Sequence, residues 1–284
     1  MTIALPRPTR SVLYIPGSKD RALDKARELA VDAIIFDLED AVTPDAKVAA
    51  RDTLKAALAA GGFGSKLRII RINGLDTAWG AGDVAALRDV ACDAFLLPKV
   101  NGSADIDALA ALLPATRDIW AMMETPLAIR NAFDIAAHPR VTGFVAGTND
   151  LAKELNSRPR ADRLPMMMAL QTILMAARAH GVVAIDGVYN QFKDQDGLRA
   201  ECDQGRDLGF DGKTLIHPDQ IDVTNAAFAP SEAEIDLAQR QIAAFDAVQK
   251  SGQGVAVVDG KIVENLHVAT ARKILALAAA VDAQ

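Results

Sequence analysis

Several familiar features are scarce or missing. In 284 residues there are two cysteines, Cys92 and Cys202, and no CxxC. Neither a disulfide framework nor a structural zinc site is expected, and a reducing cytoplasm is the expected location. Cys92 reads as a small core residue and Cys202 as a residue on a helix face. The four histidines, His138, His180, His217 and His267, are scattered, so zinc chemistry is not expected. No apolar run approaches the roughly eighteen residues of a membrane span. The opening MTIALPRPTR has two prolines and lacks the apolar segment of a signal peptide. There is no basic block, and 31 Lys and Arg stand against 37 Asp and Glu, a net charge of −6. That balance argues against a nucleic-acid partner. GxxxxGK[ST], GxSxG and HExxH are absent, and Gly252-Gln253-Gly254 lacks the third glycine of a dinucleotide fingerprint. No internal repeat, low-complexity tract or interdomain linker stands out.

What remains is an ordinary globular balance, 50% hydrophobic and 24% charged. Short apolar runs alternate with helix-like stretches. The runs are Ser11–Pro16, Ala33–Asp40, Leu67–Asn73, Ala94–Val100, Asp118–Thr125, Val141–Asp150, Val182–Asn190 and Phe210–Ile216. Most are nearly continuous in apolar residues, as strands buried on both faces of a parallel sheet are. Asp20–Ala30, Asp45–Ala60 and Leu164–His180 have amphipathic helical spacing, the last closed by Gly181. Eight strands with helices between them predict a (β/α)8 TIM barrel, with a doubly wound open sheet as the alternative. The barrel is preferred because polar residues recur at many strand ends: Glu39 and Asp40, Arg71 and Asn73, Lys99, Glu124, Asn149 and Asp150, Tyr189 and Asn190. An open sheet would gather them at one switch point.

A barrel over residues 1–230 leaves an extension over 231–284. There Ser231 precedes a helix to Lys250, with Glu232 and Glu234 at its positive end. Asp259-Gly260 separates two short β runs, a hairpin signal, and a last helix covers about Leu266–Val281. A barrel does not need this helix–hairpin–helix, so a covering role is expected for it.

Five segments carry chemistry. Phe36-Asp37-Leu38-Glu39-Asp40 crowds three carboxylates at a strand end, with Asp37 and Glu39 expected on one side. Such crowding needs a cation or basic groups to offset it. Glu124, in Met123-Glu124-Thr125-Pro126, and Asp150, in Gly147-Thr148-Asn149-Asp150, fall at the ends of neighbouring strands. Two carboxylates so placed suit Mg²⁺, which keeps several waters, although Asp150 alone reads equally as a helix cap. Arg71, near the end of a buried strand, fits either an ion pair with a strand-two carboxylate or a substrate carboxylate or thioester carbonyl. Gly17-Ser18 opening a helix, flanked by Lys19, Arg21 and Lys25, reads equally as a phosphate site or as solvated charge.

Taken together, SVLYIPGSKDRALDKA, DAIIFDLEDAV, RIIRING, AFLLPKV, AMMETP, GTNDLA, GFDGKTLIHPDQI and VAVVDGKIV resemble the citrate-lyase β-subunit-like family of the HpcH/HpaI aldolase superfamily. The resemblance spans nearly the whole chain. Within the family the sequence is similar to malyl-CoA enzymes, and the stretch 186–218 and the tail are similar to the thioesterase branch. The resemblance implies a TIM barrel and hydrolysis of (S)-malyl-CoA to malate and CoA. The alternatives are a malyl-CoA/β-methylmalyl-CoA lyase, a citrate lyase β-subunit working inside a complex, and a silent CoA-ester binder. It implies Glu124 and Asp150 as Mg²⁺ ligands, with Mn²⁺ as a substitute, and Glu39 and Asp40 as partners of the waters around the metal. Arg71 would contact substrate. Tyr14, Lys19, Lys25, Asn149, Ile216 and His217 would line the CoA thioester site, Lys19 standing where some relatives have arginine. Asp259 would be an acid/base residue supplied by a neighbouring subunit, in a trimer or hexamer.

Overall fold

The computed structural model describes residues 7–252 and 254–283. Within the compact unit Thr9–Phe228, eight parallel strands close into a barrel in sequence order. They are β1 (Ser11–Pro16), β2 (Ala33–Asp37), β3 (Leu67–Arg71), β4 (Ala94–Leu97), β5 (Asp118–Met123), β6 (Val141–Ala146), β7 (Val183–Asp186) and β8 (Gly212–Leu215). Closure runs through β8 onto β1, with Ser11 opposite Lys213 and Leu13 opposite Leu215. This is the expected (β/α)8 barrel, and closure excludes the open sheet.

Strand alternation sorts the residues into two layers. Val12, Ile35, Ile69, Leu96, Trp120, Val145 and Ile185 belong to one cluster, drawn from alternate positions of seven strands, which fills the barrel. Their neighbours Leu13, Ile34, Phe36, Ile70, Phe95, Phe144 and Leu215 belong to a larger cluster under the surrounding helices. Gly143 lies opposite Trp120 in the β5–β6 register, and a Cβ there would meet the indole at 2.2 Å. That glycine lets the largest interior side chain fit.

Several strands stop short of the apolar runs. β2 ends at Asp37 rather than Asp40, because the Asp37 carboxylate accepts the Glu39 and Ala41 amides and turns the chain. β6 ends at Ala146 because Thr148–Glu154 is helix, and Leu164–His180 divides into a 3₁₀ turn, Leu164–Met166, and a helix, Met167–His180. Gly181 closes that helix at φ 72° as expected. The helix expected over Asp20–Ala30 ends at Ala26, and the one expected from Asp45 begins at Lys47.

The chain after Phe228 builds a second compact unit. Ser231 caps helix Glu232–Ser251 in a reciprocal box with Glu234. Strands β9 (Val257–Val258) and β10 (Lys261–Ile262) form the hairpin, with Asp259 and Gly260 both at positive φ, as a two-residue turn requires. Helix Asn265–Asp282 packs on Glu232–Ser251. Among the described residues no helix is long and apolar enough to cross a membrane.

Candidate active site

The inward alternation continues past the apolar layer at the strands' C-terminal ends. Tyr14, Asp37, Arg71 and Thr214 are the next inward positions, and Glu124 and Ile216 follow just beyond their strands. All six line one cavity of about 360 Å³, joined by Asp40, Asn149 and Asp150. A barrel enzyme's site belongs at this end.

Arg71 organises one side. Its Nε and Nη2 donate to the two oxygens of Asp37 at 2.8 and 2.6 Å. Its Nη1 lies 2.7 Å from Glu39 Oε2 and 3.5 Å from Asp40 Oδ2, and the guanidinium covers the Tyr14 ring at 4.9 Å. The ion pair with a strand-two carboxylate is therefore present, and Nη1 is the edge left towards Glu39 and Asp40. Burial opposes the charge on Arg71, but Asp37, Tyr14 and Glu39 outweigh it and hold its pKa well above the usual value. Burial raises the Tyr14 phenol and keeps it neutral.

Glu39 lies beyond the end of β2, and it meets the same Arg71 guanidinium as Asp37. Burial pushes its carboxyl up to about 7, with Asp40, Glu124 and Asp37 adding to the effect and Arg71 opposing it. The short Arg71 contact does not reverse this: it lacks hydrogen-bond geometry, and Asp37 already neutralises the guanidinium. Glu39 is thereby poised to change protonation near neutrality.

Glu124 and Asp150 form the other side. Glu124 is buried, and its Oε1 accepts the Lys99 amide at 2.7 Å. Burial raises its pKa, the Lys99 amide and ammonium opposing. Gly147 makes room for it: a Cβ there would come within 2.3 Å of Glu124 Cβ and 2.7 Å of Oε2. Asp150 sits in the first turn of helix Thr148–Glu154, whose cap position is Gly147, and its Oδ2 meets Lys99 Nζ at 3.2 Å. So Asp150 is not the cap, and it faces the cavity with Glu124. The donors are all oxygen and carry surplus negative charge, which fits a hard divalent cation. Among the described residues no group of three or more His, Cys, Asp or Glu is arranged to hold a metal, so water and substrate oxygens would complete its shell.

Other expected site residues lie further out. Ile216 lines the cavity, but His217 stacks on Phe192 at 4.6 Å and accepts the Asp219 amide. Asn149 lines it too, in a reciprocal amide pair with Asn190 at 2.8 and 3.2 Å. Lys19 and Lys25 are exposed on and before helix Asp20–Ala26 and do not line the cavity. Asp259 sits at the hairpin turn of the second unit, where Arg240 at 2.7 Å holds its carboxyl below the usual range. Sequence reading marked Lys99 as a polar strand end only. Its two contacts depend on backbone geometry that no motif announces.

A family model described as HpcH/HpaI aldolase/citrate lyase matches residues 10–218. The chain belongs to that family. A (3S)-malyl-CoA thioesterase from Cereibacter sphaeroides is 62% identical over 97% of this chain and 96% of its own length. An L-malyl-CoA/β-methylmalyl-CoA lyase from the same species is 32% identical over 98% of this chain and 96% of its own. Among solved structures, the protein CitE from Mycobacterium tuberculosis in complex with magnesium, acetoacetate and coenzyme A has a TM-score of 0.79. It is 32% identical, covering 95% of this chain and 97% of that one. That structure shows magnesium and coenzyme A held by a protein of this fold.

Proposed function

We propose that this chain hydrolyses (S)-malyl-CoA to (S)-malate and CoA, with Mg²⁺ held by Glu124 and Asp150. The observation that carries the reading is the 62% identity to a (3S)-malyl-CoA thioesterase over nearly the full length of both chains, against 32% to the lyase. Bound there, the metal would supply a Lewis acid for substrate oxygens, and Mn²⁺ would substitute.

The protein's own groups divide the remaining work. Hydrolysis adds a water oxygen to the thioester carbon and breaks the C–S bond. One water proton must leave during attack, and the departing sulfur must gain one. Glu39, at about 7, matches the pKa a general base needs at neutral pH, and Asp40 lines the cavity beside it. Arg71 has spent two donors on Asp37, so its Nη1 edge is the part that reaches substrate, in exchange for Glu39 or Asp40. Tyr14 and Ile216 offer the acyl and pantetheine parts an apolar wall, with Asn149 beside them. Lys19, Lys25 and His217 serve the CoA nucleotide outside the cavity. Asp259, exposed on a rigid two-residue turn, acts over the site of a neighbouring copy in a trimer or hexamer. The reducing cytoplasm suits two buried free thiols.

Product analysis tests the reading. Pure protein with (S)-malyl-CoA and Mg²⁺ should yield malate and free CoA and no trappable glyoxylate. Stoichiometric glyoxylate and acetyl-CoA without malate would reject hydrolysis in favour of lyase chemistry. For the shared site, mixing inactive Asp259→Ala with inactive Glu124→Ala protein should restore activity. No recovery after demonstrated subunit exchange would reject it.

A further inference from the structure

Lys99 has no part in the roles above. It follows Pro98 at the end of β4, and its φ of 50° places it in the left-handed region, uncommon for a residue with a side chain. That backbone aims two positive groups at one place. The amide donates to Glu124 Oε1 at 2.7 Å, and the ammonium lies 3.2 Å from Asp150 Oδ2. One residue therefore touches both carboxylates assigned to the metal. Among the described residues no other ion pair reaches either of them.

The two contacts differ in kind. The amide is part of the backbone and cannot leave. The ammonium ends a flexible four-carbon stem whose side chain is 52% exposed, so it can move at little cost. It also has somewhere to go. Lys99 lines a neighbouring cavity of about 510 Å³ that contains Asp76 and Glu154, both exposed.

We propose that Lys99 is a built-in monovalent stand-in for the divalent metal. Its ammonium neutralises Asp150 until the cation arrives and gives that carboxylate up on binding, while its amide holds Glu124 in place throughout. This rests on the assignment of Glu124 and Asp150 to the metal. Without a cation the two carboxylates would repel across the cavity, and the donor pair would not stay preformed. With the lysine present, metal binding becomes an exchange of charge, and the affinity is set lower than two bare carboxylates would give.

The test is Mg²⁺ titration by calorimetry on metal-stripped protein without CoA ester, paired with thermal melts. Lys99→Met should bind Mg²⁺ about tenfold more tightly than wild type, the effect of removing one competing, partly screened charge. Lys99→Gly fits the left-handed backbone without strain and keeps the amide, so it should gain the same affinity. Lys99→Arg keeps the charge and should bind as wild type does. Without Mg²⁺ the Met variant should melt below wild type, and saturating Mg²⁺ should close the gap. Unchanged or weaker binding in both Lys99→Met and Lys99→Gly overturns the proposal. Glu124→Gln and Asp150→Asn provide the control. If binding is lost there while Lys99→Met is unchanged, the stand-in alone fails; if binding survives there, the metal assignment falls and the proposal with it.

Discussion

Two of the charged clusters in the barrel unit are built oppositely. At the cavity, the cations Arg71 and Lys99 face five carboxylates, Asp37, Glu39, Asp40, Glu124 and Asp150. On the outer side of β7 and β8, Asp186 and Glu201 face Arg163 and Lys213. There Lys213 Nζ reaches Asp186 Oδ2 at 3.1 Å and Glu201 Oε1 at 2.6 Å, and Arg163 Nη1 reaches Asp186 at 2.7 and 2.8 Å. The second cluster is balanced in charge, with Asp186 and Lys213 fully buried and only Arg163 and Glu201 bordering a cavity. The first is overcharged and opens into a cavity. A balanced buried cluster specifies packing; an unbalanced one beside a cavity asks for a ligand of the missing sign.

The direction in which a side chain points decides between the two. Ile185 is an inward residue, so Asp186 points outward under helix Gln195–Leu208, where Gly205 leaves room for its carboxylate. Asp37 and Arg71 are inward residues two steps from Ile35 and Ile69, so their charges meet the cavity.

The largest expected effect breaks the open cluster. Glu124→Gln, a neutral isostere, should lower kcat by about a thousandfold or more while circular dichroism stays native, as loss of a metal ligand does. Retained turnover would remove Glu124 from the chemistry. Next comes the balanced cluster. Lys213→Met leaves two buried carboxylates, Asp186 and Glu201, to Arg163 alone and should cost about 3–5 kcal/mol in urea unfolding. In the same measurement Lys99→Met, with its partly exposed ion pair, should cost about 1 kcal/mol or less. Equal costs would erase the difference between the two clusters.

Acid and base should separate the clusters again. Burial alone would raise Asp186, but Lys213 and Arg163 outweigh it and hold its pKa below the usual range. Its stabilising contribution is present above the unfolded pKa of about 4 and is lost as pH falls through the folded value. Glu39 runs the other way. Its pKa rises from 4.5 to about 7, so between those values the folded protein keeps a proton the unfolded chain has lost. In metal-free protein, stability should therefore fall as pH rises through that window, and Glu39→Gln should flatten the slope. Melting temperatures measured from about pH 2 to about pH 8 check both signs.

The barrel was legible because strands buried on both faces read as continuous apolar runs, and because polar residues recurred at so many of their ends. Glu124 and Asp150 were legible for the same reason: each carboxylate follows an apolar run directly. The strand ends were not, since Asp37 stops β2 with its own carboxylate, a local contact that hydrophobic pattern does not show. Lys213 was not either. A lysine inside an apolar run faces inward or outward according to phase, and phase is set by register with β1 and β7. Lys99 was hidden most deeply, because its reach to two carboxylates depends on one backbone angle.

The most direct test of the central claim is a Mn²⁺ titration followed by electron paramagnetic resonance, on wild type and on Glu124→Gln. Wild type should bind one ion tightly per chain, displaced by Mg²⁺, and the variant none. Tight binding that survives in Glu124→Gln would contradict the metal assignment.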